Sequence, residues 1–387
     1  MRSIMTILAI WAAGLGAAAQ FGKISILFAD LEAHYAGAGA VGIGVMVSVV
    51  GMVGLVFGTT AGLAVARVGP RRAILWALAL GAVVSVVQAV LPPYPIMMAS
   101  RVLEGVSHLA IVVVGPTSIA SVAPKHLQGA AMTLWSSFFG LSYAVLAWFG
   151  PGVVAIWGDA GLFLGHAGWM ALCFAALWVL MPRDAAVTAA RSGQGLLAQH
   201  WAIYASPRLG APAMGFLCYT VTYVAVLTLL PGVVTPGWGG FIAVAMPLVS
   251  IGVSLTLGVW LLSRVTAVAL VQGGFGFGIA SALGLWLFWG TGLAEAVFAL
   301  GLAGAVGIVQ GASFAALAQL NPAPEDRARA SGAIAQLGNL GTTTGTPLLA
   351  LILTGAGATG LMLFLIGFFV LGIAIHAVQA GRRARAV

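Results

Sequence analysis

Two cationic side chains, Lys23 and Arg101, lie well inside long apolar runs of this 387-residue chain. The other fourteen of its sixteen Lys and Arg residues lie in connecting segments or at the ends of runs. A cation costs about 2.5 to 3.5 kcal/mol to place in hydrocarbon, so it normally faces a polar interior that supplies a counter-charge or a ligand. These two residues therefore indicate a buried site that handles charge.

A carboxylate and a histidine follow Arg101 in the same apolar run, as Glu104 and His108. In an α-helix Glu104 lies about 60° and His108 about 20° from Arg101 around the axis, so the three share one face. Gln20 likewise shares a face with Lys23. Two cations and one carboxylate leave about one excess positive charge, which favours an anionic ligand or a protonatable Glu104.

A structural role is the alternative for each of these residues. Lys23, Arg101 and Glu104 can form a closed ion-pair network that only fixes helix packing. Lys23 can also extend outward toward Asp30. His108 can relay a proton or contact substrate, but a single histidine on a helix is more often a hydrogen-bonded part of the scaffold.

The composition identifies an integral membrane protein, because 61% of the residues are hydrophobic and only 6% are charged, against roughly 25% charged residues in a soluble domain. Its two cysteines suggest neither a disulfide framework nor a metal site. The chain has no P-loop and no cluster of nucleophiles, bases or metal ligands, which argues against an ATP-driven pump and against a membrane enzyme. We expect no cofactor and no metal.

Twelve apolar runs are long enough to cross a bilayer, which takes about 20 helical residues. They cover residues 4–28, 40–65, 73–91, 96–121, 130–149, 162–181, 214–234, 241–262, 265–288, 296–317, 331–353 and 361–378.

The basic residues outside the runs predict the topology. With a cytoplasmic N-terminus, all fourteen fall on the inner side, while Asp30, Glu32, Asp159 and Glu295 fall on the outer side. This asymmetry over short loops is a strong orientation signal. We expect both termini in the cytoplasm. The net charge of +8 therefore reflects the orientation of the chain in the membrane and does not indicate nucleic-acid binding.

The longest polar connection divides six runs from six. We predict an N-terminal six-helix bundle at 1–185, a central cytoplasmic loop at 186–207 and a C-terminal six-helix bundle at 208–387. Paired six-span halves of the same orientation are an architecture of secondary transporters, which bind substrate near the middle of the bilayer.

Polar residues in the second half are weaker candidates for substrate contacts. Each is about as well explained by an interhelical hydrogen bond. They are Tyr219, Tyr223, Gln310, Gln336 and Asn339.

The whole chain resembles the major facilitator superfamily, through the six-plus-six plan, the central loop and one local motif. The segment 62–72 is similar to the family signature G-x-x-x-D-R-x-G-R-[RK]. The matching positions are Gly62, Arg67, Gly69, Arg71 and Arg72.

The resemblance implies that this loop is a latch of the inner gate. Ala66 stands where the signature has its Asp, which puts the contribution of Arg67 in doubt. The alternative is that the basic residues serve orientation alone and that the glycines permit a tight turn. On the latch interpretation, we expect Arg71 and Arg72 to stabilise the outward-facing state.

A second pattern, R-x-x-x-G, resembles a family motif in span four and is matched by Arg101 and Gly105. In proton-coupled relatives this arginine is linked to coupling, and spans one and four line the central cavity. The resemblance thus implies that Lys23 and Arg101 meet substrate.

We therefore expect a proton-coupled carrier of a small anion, working as a monomer in a bacterial inner membrane by alternating access, and similar to cyanate transporters. The main alternative is proton-driven efflux of drugs or metabolites, since Gly150 and Pro151 resemble part of an antiporter motif. Metal-ion import and a polytopic membrane enzyme are weaker alternatives.

Overall fold

The structure is a computed structural model that describes residues 2–184 and 196–385. The described residues form α-helices, with one 3-10 turn at Lys125–Leu127 and one π-helical turn at Ser254–Gly258, and they contain no β-strand. A helix satisfies its backbone hydrogen bonds within its own segment, as hydrocarbon requires. The predicted all-helical membrane fold is confirmed.

Contacts between Cα atoms divide the chain into two compact units, Met1–Ala190 and Arg191–Val387. The boundary between them falls inside the connection predicted at 186–207.

The first unit contains eight helices among the residues that the structure describes. In chain order they are α1 (Arg2–Ile26), α2 (Phe28–His34), α3 (Gly39–Ser48), α4 (Val50–Val68), α5 (Pro70–Ala89), α6 (Tyr94–Val122), α7 (Gln128–Ser136) and α8 (Phe138–Leu180).

The described part of the second unit contains seven helices. They are α9 (Leu196–Ala205), α10 (Gly210–Val233), α11 (Gly239–Val253), α12 (Val259–Leu262), α13 (Ala267–Leu287), α14 (Leu293–Leu320) and α15 (Pro324–Ala384). The predicted central loop therefore contains a helix, α9, because its residues 196–205 are mostly apolar and can pack on the unit.

Nine helical segments of the described residues are long and apolar enough to cross a membrane, and one of them, Gly239–Leu262, runs through α11, the π-helical turn and α12. The number is ten if the bent pair Gly39–Ser48 and Val50–Gly58 counts as one span. Two of the nine, α8 and α15, have 43 and 61 residues and are each interrupted by a glycine with non-helical φ and ψ, at Gly158 and Gly357. Dividing both helices there adds two segments to the ten, which makes twelve, the number expected from the sequence. The predicted loops at these two places are short breaks inside longer helices.

The N-terminus of α5 and the C-terminus of α8 contact each other within the first unit. The Asp184 carboxylate accepts hydrogen bonds from the backbone N–H groups of Arg71, at 2.8 Å, and Arg72, at 3.1 Å. In return, the Arg71 guanidinium donates to the carbonyls of Trp178, at 2.7 Å, and Met181, at 3.2 Å. An anion thus caps an N-terminus and a cation caps a C-terminus, as the helix dipoles favour.

Gly69 makes this arrangement possible. Its φ of +95° is a conformation that other residues adopt only with strain. A Cβ on Gly69 would also lie 2.3 Å from Oδ2 of Asp184. The signature glycine is therefore required by the close approach of Asp184 as well as by the turn.

We expect Asp184→Asn to lower the stability of the protein by about 1 kcal/mol, because the neutral amide offers one oxygen to two backbone N–H donors. The thermal unfolding midpoint of the purified protein measures this. Glu32→Gln, which makes the same chemical change on the half-buried Glu32 of α2, is the control. Equal midpoints for the two variants would show that the capping contacts contribute nothing.

Candidate functional site

The first unit holds a buried cluster of three charged side chains. Nζ of Lys23 lies 2.5 Å from Oε1 of Glu104, and the Arg101 guanidinium contacts Oε2 of the same carboxylate. All three side chains are 0% exposed. We name Lys23, Arg101 and Glu104 the charge cluster. Its formal charge is about +1, because one carboxylate faces two cations.

Helices α1 and α6 position the cluster. Lys23 lies in the last turn of α1, between the fully buried Phe21 and Ile24, and its ammonium lies 5.3 Å from the centre of the Phe163 ring. Arg101 and Glu104 are one turn apart on α6. The Lys23 ammonium points to Glu104, so the alternative in which it extends toward Asp30 is not the arrangement in the structure.

Arg101 also binds a break in the neighbouring span. Its Nε donates to the carbonyl of Met46, at 2.8 Å, and its Nη2 donates to that of Val47, at 3.2 Å. These carbonyls belong to the last turn of α3, where helix α3 ends and α4 continues at an angle of 48°. The last carbonyls of a helix have no partner within it, and a cation there is favourable. Arg101 therefore joins the carboxylate to the bend in span two.

Gly105 lets α6 come close to this bend. A Cβ at this position would lie 2.5 Å from the carbonyl oxygen of Val50, a backbone atom that cannot move aside easily. Both matching residues of the R-x-x-x-G pattern therefore lie at this bend. The Arg101 guanidinium binds its carbonyls, and the absence of a side chain on Gly105 leaves room for its backbone.

Polar residues that the sequence analysis did not single out complete the surroundings of the cluster. Lys23 donates to Oγ of Ser85 at 2.7 Å, and Gln88 donates to Oε2 of Glu104 at 3.0 Å. Ser85 and Gln88 are both 0% exposed. Their spacing of three residues places them on one face of α5, and this spacing was the available sequence signal.

His166 of α8 also lies beside the charge cluster, and the sequence analysis did not single it out. Its Nε2 lies 2.9 Å from the carbonyl of Gly16, and its Nδ1 lies 2.6 Å from Oγ of Ser85 and 3.3 Å from Nζ of Lys23. A carbonyl only accepts, so Nε2 carries the hydrogen and Nδ1 is an acceptor in the neutral ring. As a single histidine in an apolar run, His166 gave little signal in the sequence.

His108 and Gln20 bind elsewhere on α1 and α6. Nδ1 of His108 lies 3.0 Å from the carbonyl of Ala17, and its ring meets that of Phe21 edge-on. Nε2 of Gln20 donates to Oγ of Ser107 at 3.0 Å. These contacts hold α1 against α6, and a role of His108 in proton relay or substrate contact stays a prediction.

The candidates of the second unit have separate partners. The rings of Tyr219 and Tyr223 stack with centres 5.1 Å apart, and both are buried. Gln336 accepts a hydrogen bond from the Tyr204 hydroxyl at 2.7 Å, while Asn339 donates to the carbonyl of Ala335 in its own helix.

Gln310, the fifth of these candidates, is partly exposed on α14. Among the contacts described above, the stacking of Tyr219 on Tyr223 joins two of the five candidates.

The signature loop is tied within its own unit. The guanidinium of Arg71 is used at the end of α8, as described above, and it also lies over the Trp178 ring at 5.0 Å. Arg67 and Arg72 are exposed, and Gly62 lies within α4. Asp184 supplies a carboxylate to a loop whose signature Asp is missing. A gating role for this loop stays a prediction.

The described residues contain no group of His, Cys, Asp or Glu that could hold a metal ion. Cys173 and Cys218 are both free and buried. The charge cluster and its neighbours offer hydrogen bonds and ionic contacts.

Comparisons with known proteins agree with this architecture. Residues 6–346 match the family model of the Major Facilitator Superfamily. The inner membrane transport protein YdhP of Escherichia coli (strain K12) is 30% identical over 122 residues, which is 30% of this chain and 30% of that protein. A probable multidrug-efflux transporter of Mycobacterium tuberculosis (strain H37Rv) is 30% identical over 128 residues, 33% of this chain and 26% of that protein. The chain thus matches less than a third of the length of each of these curated relatives.

The crystal structure of the Escherichia coli fucose:proton symporter FucP superposes with a TM-score of 0.69 at 15% identity, over 98% of this chain and 99% of that chain. At this identity the likeness concerns the fold. Because the family match extends over most of its length, this chain belongs to the Major Facilitator Superfamily and is a membrane transporter, not an enzyme.

Proposed function

We propose that this transporter moves a small monovalent anion together with a proton, and that the charge cluster is where both act. The observation that carries the proposal is one fully buried carboxylate between two fully buried cations. An uncompensated charge in a medium of low dielectric is costly. A cluster with a surplus cation therefore favours an anionic ligand.

Charge balance supports coupling to a proton. Protonation of Glu104 would raise the charge of the cluster from about +1 to about +2 and release Lys23 and Arg101 from their shared partner. Binding of a monovalent anion would return the charge to about +1. Because the proton and the anion carry opposite charges and bind at one site of low dielectric, binding of each one strengthens binding of the other.

His166 and Ser85 extend the proposal to the groups that position the Lys23 ammonium. Its Nδ1 accepts from the Ser85 hydroxyl and faces Nζ of Lys23. When Lys23 turns from Glu104 toward an anion, Ser85 and His166 are the groups that can rearrange their hydrogen bonds with it. We assign them a positioning role for Lys23.

The relatives support transport in two different directions. FucP is a fucose:proton symporter, which agrees with uptake driven by protons. The mycobacterial relative is named as a probable multidrug-efflux transporter. This name favours the second candidate function, proton-driven export of drugs or metabolites. We further propose a monomer in a bacterial inner membrane, with both termini cytoplasmic, that works by alternating access.

Proteoliposomes with a pH gradient test the coupling. With the outside more acidic, we expect wild type to accumulate small anions, with labelled cyanate as the first probe and nitrate and formate beside it, and a protonophore to abolish accumulation. Glu104→Gln removes the proton acceptor, so we expect no accumulation but continued anion exchange. Asp30→Asn, which neutralises an exposed carboxylate, is the control and keeps wild-type accumulation.

The same vesicles separate the two candidate functions. Anion accumulation by wild type that is equal with and without the pH gradient would contradict proton coupling through this carboxylate. Accumulation that persists in Glu104→Gln would contradict it as well. Extrusion of cationic dyes against the gradient, with no anion uptake, would replace the proposal by efflux.

A double-mutant cycle tests whether the cluster acts as an electrostatic unit. We expect Lys23→Met or Glu104→Gln alone to cost about 3 kcal/mol, because each leaves a buried charge with fewer partners. The double variant removes one charge of each sign, so its loss is expected to be clearly smaller than the sum. Thermal unfolding of the purified variants measures the cycle, and Lys23→Met with Asp30→Asn serves as an additive control pair. Additive losses in the Lys23 and Glu104 cycle would contradict the electrostatic unit.

A further inference from the structure

Three arginines gather at one end of the second unit, around the connection between α9 and α10. Nη2 of Arg382 donates to the carbonyl of Ala205, and Nη1 of Arg383 donates to that of Pro207, both at 2.9 Å. The next residue is Arg208, which is exposed and close enough to Arg383 for electrostatic repulsion. We name Arg208, Arg382 and Arg383 the basic end. Like charges held together in this way leave a strongly positive surface.

Acidic partners do not balance the basic end. Both ion pairs found among the described residues involve Glu104 of the first unit, so none of these three guanidiniums is paired with a described carboxylate. Each guanidinium has five N–H donors in a fixed plane. Arg382 uses part of its set on Ala205 and on Oε1 of Gln379, at 3.1 Å, and Arg383 uses part on Pro207. Donors suited to an oxyanion remain.

Helix α9 places an apolar surface beside these charges. Its ten residues include no charged side chain except the titratable His200. Ile203 faces the unit at 9% exposure, and Trp201 is 79% exposed. The Tyr204 hydroxyl, bonded to Gln336 at 2.7 Å, ties the helix to α15. An exposed tryptophan on an uncharged helix is typical of the boundary between water and lipid headgroups.

We propose that the basic end binds the phosphate of an anionic phospholipid, with α9 lying in the headgroup layer and Trp201 contacting the upper acyl chain. The shared chemistry, a phosphate oxyanion, would also suit free phosphate. The exposed Trp201 and the uncharged helix favour the lipid, since a soluble anion has no use for an apolar surface. Arginines near an anionic membrane surface are attracted to its headgroups.

Helix capping alone does not account for this region. It explains why Arg382 binds Ala205, the last residue of α9, since a cation is favourable at a C-terminus. It leaves Arg208 and Trp201 unexplained. The side chain of Arg208 makes no hydrogen bond within the described structure, yet it stands beside a second guanidinium that repels it. A bound headgroup phosphate would turn this repulsion into bridging attraction.

Thermal unfolding of the full chain in detergent tests the proposal, with added phosphatidylglycerol, phosphatidylcholine or inorganic phosphate. We expect only phosphatidylglycerol to raise the unfolding midpoint of wild type. We expect Arg208→Gln, which breaks no described contact, to lose at least half of that shift, and R208Q/R383Q to lose nearly all of it. R264Q/R327Q removes the same charge from other connections and serves as the matched control.

Each arm has a definite outcome. An equal shift with inorganic phosphate would assign the site to a free anion, and an equal loss in R264Q/R327Q would reduce the effect to overall charge. No shift with phosphatidylglycerol in wild type would also overturn the proposal. Trp201→Ala gives an independent check, because it leaves all charges in place and is expected to weaken the lipid shift while leaving the unfolding midpoint without lipid unchanged.

Discussion

A carboxylate shared by two cations, out of reach of water, is the interaction around which the first unit is arranged. Lys23, Arg101 and Glu104 are all fully buried, and removing Glu104 would leave two uncompensated cations in a medium of low dielectric. The shared carboxylate joins α1 to α6, and Ser85 and Gln88 bring α5 into the same network. Polar contacts of this kind help helices to associate in a bilayer, because lipid is as apolar as their other side chains and no hydrophobic effect drives them together.

The same carboxylate is connected to the bend in span two. Arg101 donates to Glu104 and also to the carbonyls of Met46 and Val47 at the end of α3. A change in the charge of Glu104 therefore alters the forces on a guanidinium that caps a broken helix. Breaks of this kind are tolerated in a membrane when other groups satisfy the free carbonyls. This link gives the proposed proton step a route to the backbone of a neighbouring span.

Much of the fold and part of the site could be predicted from the sequence. Apolar runs and the distribution of arginines are strong signals because hydrocarbon tolerates so few alternatives. Helical periodicity placed Arg101 and Glu104 on one face, and the position of Lys23 inside an apolar run assigned it to the same buried site. The contacts of His166 and Asp184 could not be predicted, since each depends on partners more than 80 positions away in the chain and neither has a local pattern. The breaks at the glycines of α8 and α15 were predicted as loops between separate helices, because a loop and a sharp bend within a helix have similar compositions.

Proton uptake during ligand binding tests the central claim most directly. The detergent-solubilised transporter is titrated in weakly buffered solution with small monovalent anions, and with neutral and cationic compounds of similar size, while a pH dye records protons. Attraction between the bound anion and a proton on Glu104 predicts uptake of about one proton per anion bound, and loss of that uptake in Glu104→Gln. Anion binding without proton uptake, or binding confined to neutral or cationic compounds, would contradict the account.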